Sequence, residues 1–239
     1  MRPAFVRVLL VSDDFKIIDD LCNWSQPISI RVETCCEAES AMRRLCQQKF
    51  EGVIVDLSTG GGPDLLKKIR TLPSNKTALS FAILQRQYAD KERFFSPANF
   101  VLQRPLQSFV VSRVLKAAYP MLVREKRRYF RYPVQISVVV RRGSDTEFIL
   151  PSLNLSEGGI CLHSSVPLKV GDQLRLRLRL PSESDVLEVS GTVCWSESLG
   201  RVGIQFTGLT EHLKRALQTW IAVRLEETLS ASQLLMSSF

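Results

Sequence analysis

The sequence predicts two domains: a doubly wound parallel α/β sheet, followed by a six-stranded antiparallel β barrel with a C-terminal helix. Three observations support this fold class. The chain has 239 residues, more than the roughly 100–200 residues of a typical domain. Apolar strands alternate with amphipathic helices in its first half, as in parallel sheets. Short strands follow one another at regular spacing in its second half, as in small antiparallel barrels or sandwiches.

Hydrophobic periodicity predicts the elements of the first half in order. Val6–Val11 is an apolar strand, and Ser12 or Asp13 can cap the helix that follows it. Pro27 is expected to end that helix. The remaining predicted strands are 28–32, 52–56, 78–84 and 99–102, and the remaining predicted helices are 38–48, 63–71 and 106–119.

Three carboxylates are expected at one edge of this sheet, because parallel strands present their carboxyl ends together. Asp13 and Asp14 follow the first strand, and Asp56 ends the third. In this respect residues 5–118 resemble the receiver domain of two-component response regulators. The resemblance implies that Asp56 is a phosphoacceptor and that Asp13, Asp14 and Asp56 bind Mg²⁺ through their oxygens.

The chain departs from the receiver pattern at three places. Leu84-Gln85 stands where receivers have Ser or Thr, and Arg104-Pro105 stands where they have Lys-Pro. The loop 57–63 after Asp56 looks shortened. We therefore interpret residues 1–119 as a degenerate receiver-like domain, a scaffold in preference to a working phosphoacceptor. In the simplest alternative, the three aspartates only cap helices and line a solvated loop.

The second half changes to a β pattern. The segment Leu174 to Leu180 alternates Leu and Arg without a break, so its leucines should face a core and its arginines solvent. Thr210 can cap a closing helix, whose apolar face comprises Leu213, Leu217, Trp220, Ile221 and Leu225. The other predicted strands are 134–142, 147–154, 160–164, 186–195 and 201–206, with a turn at 143–145. The Ser-rich tail 226–239 is expected either to fray or to pack on a second copy of the chain.

Half of the net charge of +8 lies in residues 119–132, which hold five Lys or Arg and one Glu. This stretch contains an R-x-x-x-R motif formed by Arg127 and Arg131, with Arg128 between them. Downstream, Asn154 to Gly159 forms N-x-S-x-x-G. Guanidinium groups bind phosphate, and the O6/N7 edge of guanine, with two hydrogen bonds at a time. The two motifs together predict a site for an anion, and a guanine nucleotide suits it better than a simple ion.

In order and context, these motifs resemble those of the PilZ domain, the bacterial receptor module for cyclic di-GMP, over residues 124–225. The resemblance implies that Arg127 and Arg131 hold phosphates and guanine edges, and that Asn154 accepts hydrogen bonds from guanine. Ser156 would bond to the ligand and Gly159 would allow a close backbone approach. The full predicted ligand set is Arg127, Arg128, Arg131, Asn154, Ser156, Gly158 and Gly159. Residues 120–132 are interpreted as a basic linker, and residues 133–225 as the barrel with its helix.

The leading function is a non-enzymatic receptor or adaptor in bacterial second-messenger signalling, which binds cyclic di-GMP and an unknown protein partner. One alternative is a response regulator controlled by phosphorylation of Asp56. Another, less favoured, is a nucleic-acid-binding regulator, suggested by a pI near 9.4. Composition argues against other classes: no apolar run could span a bilayer, no signal peptide is evident and no zinc pattern exists among six Cys and two His. A cytoplasmic protein with reduced, mostly buried thiols is expected.

Overall fold

The computed structural model describes residues 5–85, 98–143 and 146–236. The chain divides into two compact units: residues 1–126 together with 231–239, and residues 127–230. Part of the predicted turn, Ser144-Asp145, and the last three residues of the predicted tail lie outside the described residues.

The described strands of the first unit form a parallel sheet in the order β2-β1-β3-β4-β5. This is the order of flavodoxin-like doubly wound sheets, so the predicted fold class is confirmed. The strands are β1 (Val6–Val11), β2 (Ile30–Cys35), β3 (Gly52–Asp56), β4 (Leu79–Gln85) and β5 (Phe100–Arg104). The helices that follow them are α1 (Phe15–Ser25), α2 (Ala38–Gln47), α3 (Gly62–Ile69) and α4 (Ser108–Tyr129).

Packing on both faces of the sheet explains the continuous apolar strands. Every residue of β3 is buried, and β1 is buried except at Arg7. One face packs against α1 and α4, and the other against α2 and α3. Helix α1 is capped by Asp14, one residue later than predicted, because its carboxylate accepts hydrogen bonds from the amides of Lys16 and Ile17.

Helix α4 is longer than predicted. We predicted an end at Tyr119, before Pro120, but the helix continues through Pro120 to Tyr129. Its buried face continues past the proline at Leu122 and Glu125. Ten residues of the predicted linker are therefore helical.

Two ion pairs fix the last turns of α4 to the first unit. Glu125 contacts Lys49 at 2.5 Å, and Lys126 lies 3.6 Å from Glu51. Burial raises the pKa of Glu51 and lowers that of Lys126, while the attraction between the two charges opposes both shifts. The sequence directly before the R-x-x-x-R motif is thus anchored by buried charge.

Six described strands of the second unit close into an antiparallel barrel in the order β10-β11-β8-β7-β6-β9, which confirms the prediction. They are β6 (Ser137–Arg142), β7 (Thr146–Ser156), β8 (Gly159–His163), β9 (Gln173–Arg179), β10 (Val186–Ser196) and β11 (Arg201–Thr207). In β9 the alternation is as predicted, with Leu174, Leu176 and Leu178 buried and the arginines exposed.

Helix α5 (Glu211–Met236) closes the chain and is also longer than predicted. The Thr210 hydroxyl accepts a hydrogen bond from the amide of Leu213, which confirms the predicted cap. Leu217, Trp220 and Ile221 pack into the barrel core, and the Trp220 indole donates to the carbonyl of Pro181 at 3.1 Å. The helix runs about eleven residues past Leu225, so most of the predicted Ser-rich tail is helical. None of the described helices combines the length and the apolar character needed to cross a membrane.

Candidate functional site

A short backbone bridge brings the two predicted motifs together. The amide of Tyr132 donates to the carbonyl of Leu155 at 2.8 Å, and the amide of Leu155 donates back at 2.9 Å. The Tyr132 ring packs edge-on against Trp220, with ring centroids 5.5 Å apart. The end of R-x-x-x-R is thus held beside the start of N-x-S-x-x-G by main-chain bonds.

Arg131 points into the second motif. Its Nη1 donates to the hydroxyl of Ser156 at 3.0 Å, and that hydroxyl donates to the carbonyl of Gly159 at 3.0 Å. Ser156 is 3% exposed, so its hydroxyl is fixed by these contacts. The chain of hydrogen bonds orients the guanidinium while leaving other N–H groups for a ligand.

Arg127, on the last turn of α4, is paired with Glu157 inside the second motif. The distance from Arg127 Nε to Glu157 Oε1 is 2.5 Å. The N–H bond is not aligned with this oxygen, so charge holds the pair without a proper hydrogen bond. A phosphate could therefore compete with Glu157 for this guanidinium.

Two glycines of the second motif have different environments. A Cβ on Gly159 would come within 2.3 Å of the carbonyl oxygen of Ile204, so Gly159 is required for the close approach of β8 and β11. We had predicted that Gly159 allows a ligand to approach; the structure gives a packing reason. A Cβ on Gly158 would meet nothing within 4 Å. Gly158 is therefore the open position of the turn.

A cavity of about 480 Å³ lies over this surface, and we call it the barrel cavity. Its volume is in the range of small-molecule sites. Six of the seven predicted ligand residues line it: Arg128, Arg131, Asn154, Ser156, Gly158 and Gly159. Arg127 does not line it, because its side chain is turned to Glu157. Asn154 lies at a bulge of β7, which breaks the pairing register with β8 between Ser152 and Asn154.

The cavity contains residues whose role the sequence did not indicate. Trp195 is 39% exposed and lines it together with Arg201 and Gly203. A Cβ on Gly203 would come within 2.1 Å of the indole nitrogen, so only glycine lets the ring lie there. The Arg201 guanidinium lies 6.0 Å from the ring centroid. The sequence of residues 191–195, GTVCW, predicted a strand. It did not predict the bulge in β10 between Val193 and Trp195, which turns Trp195 toward the cavity.

Two cysteines complete the wall of the barrel cavity. Cys161 is buried, while Cys194 is exposed. All six cysteines are free, but only Cys161 is buried, so the expectation of mostly buried thiols was wrong.

The predicted carboxylates of the first unit do meet at the carboxyl edge of the sheet, and we call Asp13, Asp14 and Asp56 with Arg104 the acidic edge. The Arg104 guanidinium contacts Asp56 through Nη2 and Asp14 through Nη1, the latter at 3.0 Å. Asp56 is fully buried. It also accepts from the hydroxyl of Ser12 at 2.9 Å and from the amide of Ser58 at 3.0 Å.

The acidic edge does not fit the predicted magnesium ion. Within residues 5–85, 98–143 and 146–236, no group of three or more His, Cys, Asp or Glu side chains could hold a metal. Asp13 instead accepts from the Thr59 hydroxyl at 3.2 Å. Desolvation by itself would raise the pKa of Asp14. Hydrogen bonds from the amides of Ile17 and Lys16, together with the charge of Arg104, outweigh desolvation, so the pKa is lowered. Arg104 supplies the positive charge that an ion would bring.

Comparison with known protein families agrees with the geometry of the second unit. The PilZ domain family matches residues 125–223, which confirms the predicted resemblance. None of the curated proteins compared matches the chain.

Solved structures similar to this chain fall in two groups. An inhibitor of motility from Bacillus subtilis is 23% identical, with 41% of this chain and 50% of that chain covered and a TM-score of 0.36. The present chain thus spans about half the length of that protein. The receiver domain of a sensor histidine kinase from Pseudomonas aeruginosa is 17% identical over 49% of this chain and 99% of that chain, with a TM-score of 0.44. The receiver domain of NtrX from Brucella abortus is 18% identical over 47% and 98%, with a TM-score of 0.43.

Proposed function

We propose that this protein is a cyclic di-GMP receptor that acts as an adaptor and has no catalytic activity of its own. The observation that carries the proposal is the barrel cavity, which collects six of the seven residues predicted from two separate motifs. The PilZ match over the same residues supports it.

The chemistry of the cavity suits a cyclic dinucleotide. Arg128, Arg131 and Arg201 provide guanidinium donors for two phosphates and for guanine edges. Asn154 provides a carbonyl and an amide for the polar edge of a base. The exposed face of Trp195 offers a surface on which a guanine can stack, a contact worth about 1–3 kcal/mol per base.

Binding would rearrange two contacts of the free protein. A phosphate would take Arg127 from Glu157, and guanidinium donors of Arg131 would turn from Ser156 to the ligand. We extend the proposal to its output: the new contacts of Arg127 and Arg131 with the ligand change the arrangement of the two units and make a protein partner's surface accessible. Small-angle scattering with and without saturating cyclic di-GMP tests this extension. Superimposable profiles would contradict the extension and leave the binding proposal intact.

The direct test of binding is calorimetry with cyclic di-GMP. GTP, a guanine nucleotide whose phosphates are not cyclic, is the control. We expect a saturable heat for cyclic di-GMP alone. Tryptophan fluorescence gives a second readout, because Trp195 lines the cavity whereas Trp220 is packed in the core. A Trp195→Phe variant should lose the ligand-induced change. No heat at high protein concentration, or equal binding of GTP, would refute the proposal.

Phosphorylation of Asp56 is not part of the proposal. Its carboxylate is fully buried and is engaged by Arg104, Ser12 and the amide of Ser58. Acetyl phosphate with Mg²⁺ tests this choice, and we expect no change in mass. A phosphorylated product that is lost in Asp56→Asn would favour the response-regulator alternative.

A further inference from the structure

A second charged surface lies on the outside of the barrel, across β6, β9 and β10. We define the arginine face as Arg141, Arg175 and Arg177, which line a cavity of about 380 Å³ together with Glu147, Glu188 and Ser190. Arg179 continues the row along β9. None of these residues lines the barrel cavity.

The strand register brings like charges together on this face. Arg175 of β9 is directly opposite Arg141 of β6. Like charges opposite each other on neighbouring strands are destabilising. Arg141 is neutralised by Glu147, with 2.8 Å between Nη2 and Oε2, but this pair leaves Arg175 uncompensated.

Arg175 and Arg177 are the unsatisfied groups of the face. Neither forms a hydrogen bond or an ion pair with any residue in the described part of the chain. Glu188 is directly opposite Arg177 in the β9–β10 pair, yet its carboxylate is beyond ion-pair distance. Two exposed guanidinium groups therefore lie on the same side of β9 without a protein partner among the described residues.

The spacing and the surrounding charges indicate what kind of anion fits. Alternate residues of a strand are about 7 Å apart, so Arg175 and Arg177 match alternate side chains of an extended peptide. Carboxylates can pair with guanidinium groups bidentately. Glu147 and Glu188 lie in the same cavity and repel any anion near them, so separate carboxylates opposite Arg175 and Arg177 fit better than the continuous charge of a nucleic-acid backbone. Residues 133–239 carry ten Lys or Arg against eleven Asp or Glu, so no general attraction for a polyanion exists there.

We infer that the arginine face is a docking surface for an extended acidic segment of a partner protein, with Arg175 and Arg177 each binding a carboxylate. Because the barrel is closed, the segment cannot add to it as a further strand and must be recognised through side chains. This surface is separate from the barrel cavity, and the inference does not depend on cyclic di-GMP.

The test uses fluorescence anisotropy with a labelled peptide of alternating Glu and Thr, and the same peptide with Gln in place of Glu. We expect the full-length protein to bind the Glu peptide and not the Gln peptide. The double variant Arg175→Gln/Arg177→Gln should weaken binding at least about tenfold. The variant Lys214→Gln/Arg215→Gln removes the same charge from exposed positions of α5 and should bind like the wild type.

A structural readout accompanies the binding assay. The thermal midpoint of Arg175→Gln/Arg177→Gln should equal or exceed that of the wild type, because repulsion between Arg175 and Arg141 is relieved. Failure of the wild type to bind the Glu peptide, or equal losses in both double variants, would overturn the inference. Tighter binding of a labelled oligothymidylate through Arg175 and Arg177 would also overturn it, in favour of a nucleic-acid surface.

Discussion

The acidic edge and the barrel cavity each depend on arginine, but they use it in opposite ways. In the acidic edge, the Arg104 guanidinium lies between Asp14 and Asp56 and neutralises them from within. In the barrel cavity, Arg128, Arg131 and Arg201 line a space large enough for a ligand. The charges of the acidic edge neutralise one another, whereas no carboxylate of the described residues lines the barrel cavity to neutralise its arginines.

This difference indicates which unit is built to receive a ligand. Bringing a cation into the acidic edge would require displacing a guanidinium from a fully buried carboxylate. In the barrel cavity, Arg131 is held by a hydrogen bond from Nη1 to Ser156, so a phosphate can bind its other N–H groups without displacing a buried charge. The contrast can be tested by mutation in both regions.

The largest expected effect is on ligand binding. Arg131→Ala should reduce cyclic di-GMP affinity at least about 100-fold in calorimetry, because truncating a charge pair in a binding site typically costs 2–5 kcal/mol. Arg104→Lys, which replaces the arginine of the acidic edge, is the control and should leave the cyclic di-GMP affinity unchanged. Retained affinity in Arg131→Ala, with an unchanged circular dichroism spectrum, would remove the motif from the site.

The next effect is on stability. Arg104→Ala should destabilise the protein by about 3 kcal/mol in urea unfolding, because Asp56 is then buried without its partner. Adding Asp56→Asn should recover most of the loss, since an amide carries no charge. If the single variant is as stable as the wild type, the acidic edge is not internally neutralised as described.

A gain of affinity is expected at Glu157. Glu157→Gln removes the carboxylate that competes for Arg127 and should raise cyclic di-GMP affinity about threefold to tenfold. Glu211→Gln, at an exposed position of α5, is the matched control and should have no effect. A weaker affinity in Glu157→Gln would mean that this carboxylate supports the site.

The smallest effect is a pH dependence. The pKa of Asp14 is lowered in the folded protein, so its ionised form stabilises the fold. That contribution is complete above the ordinary value of 3.8 and is lost as pH falls through the lowered pKa. Asn is also a good N-cap, so Asp14→Asn removes only the charge. We expect this variant to be less stable than the wild type at neutral pH by under about 1 kcal/mol, since Asp14 is partly exposed. The difference should shrink in urea titrations below pH 3.8; a constant difference would contradict the assignment.

The fold class of both units followed from hydrophobic period, because the period reports which faces are buried. The end of α4 did not. Pro120 costs a helix interior about 3 kcal/mol, a local penalty that agrees with the predicted end at Tyr119. The structure shows Leu122 and Glu125 buried on the same face beyond the proline, so tertiary packing outweighs the local penalty. Such packing is not visible in a local window of sequence.

The candidate site was also only partly predictable. The two motifs predicted Arg131, Asn154 and Ser156, and all three line the barrel cavity because the Tyr132–Leu155 bridge joins the motifs. The motifs could not show that Arg127 would be occupied by Glu157, since both side chains are flexible and their pairing depends on the fold. Trp195 was missed for a related reason: a bulge in β10 turns its side chain toward the cavity. The neutralisation of Asp56 by Arg104 likewise depends on two strands that are far apart in sequence.

The paired backbone bonds between Tyr132 and Leu155 have a consequence for how such chains can diverge. Arg127 is fixed by the last turn of α4, and Tyr132 is fixed by main-chain contacts that any side chain would permit. Between these two fixed points, the number of residues is constrained as well as the identity of Arg131. One inserted or deleted residue would shift the chain by about 3.4 Å and move Arg131 off Ser156. Insertions and deletions between Arg127 and Tyr132 should therefore be eliminated in evolution, even where they leave both arginines of the motif in the sequence.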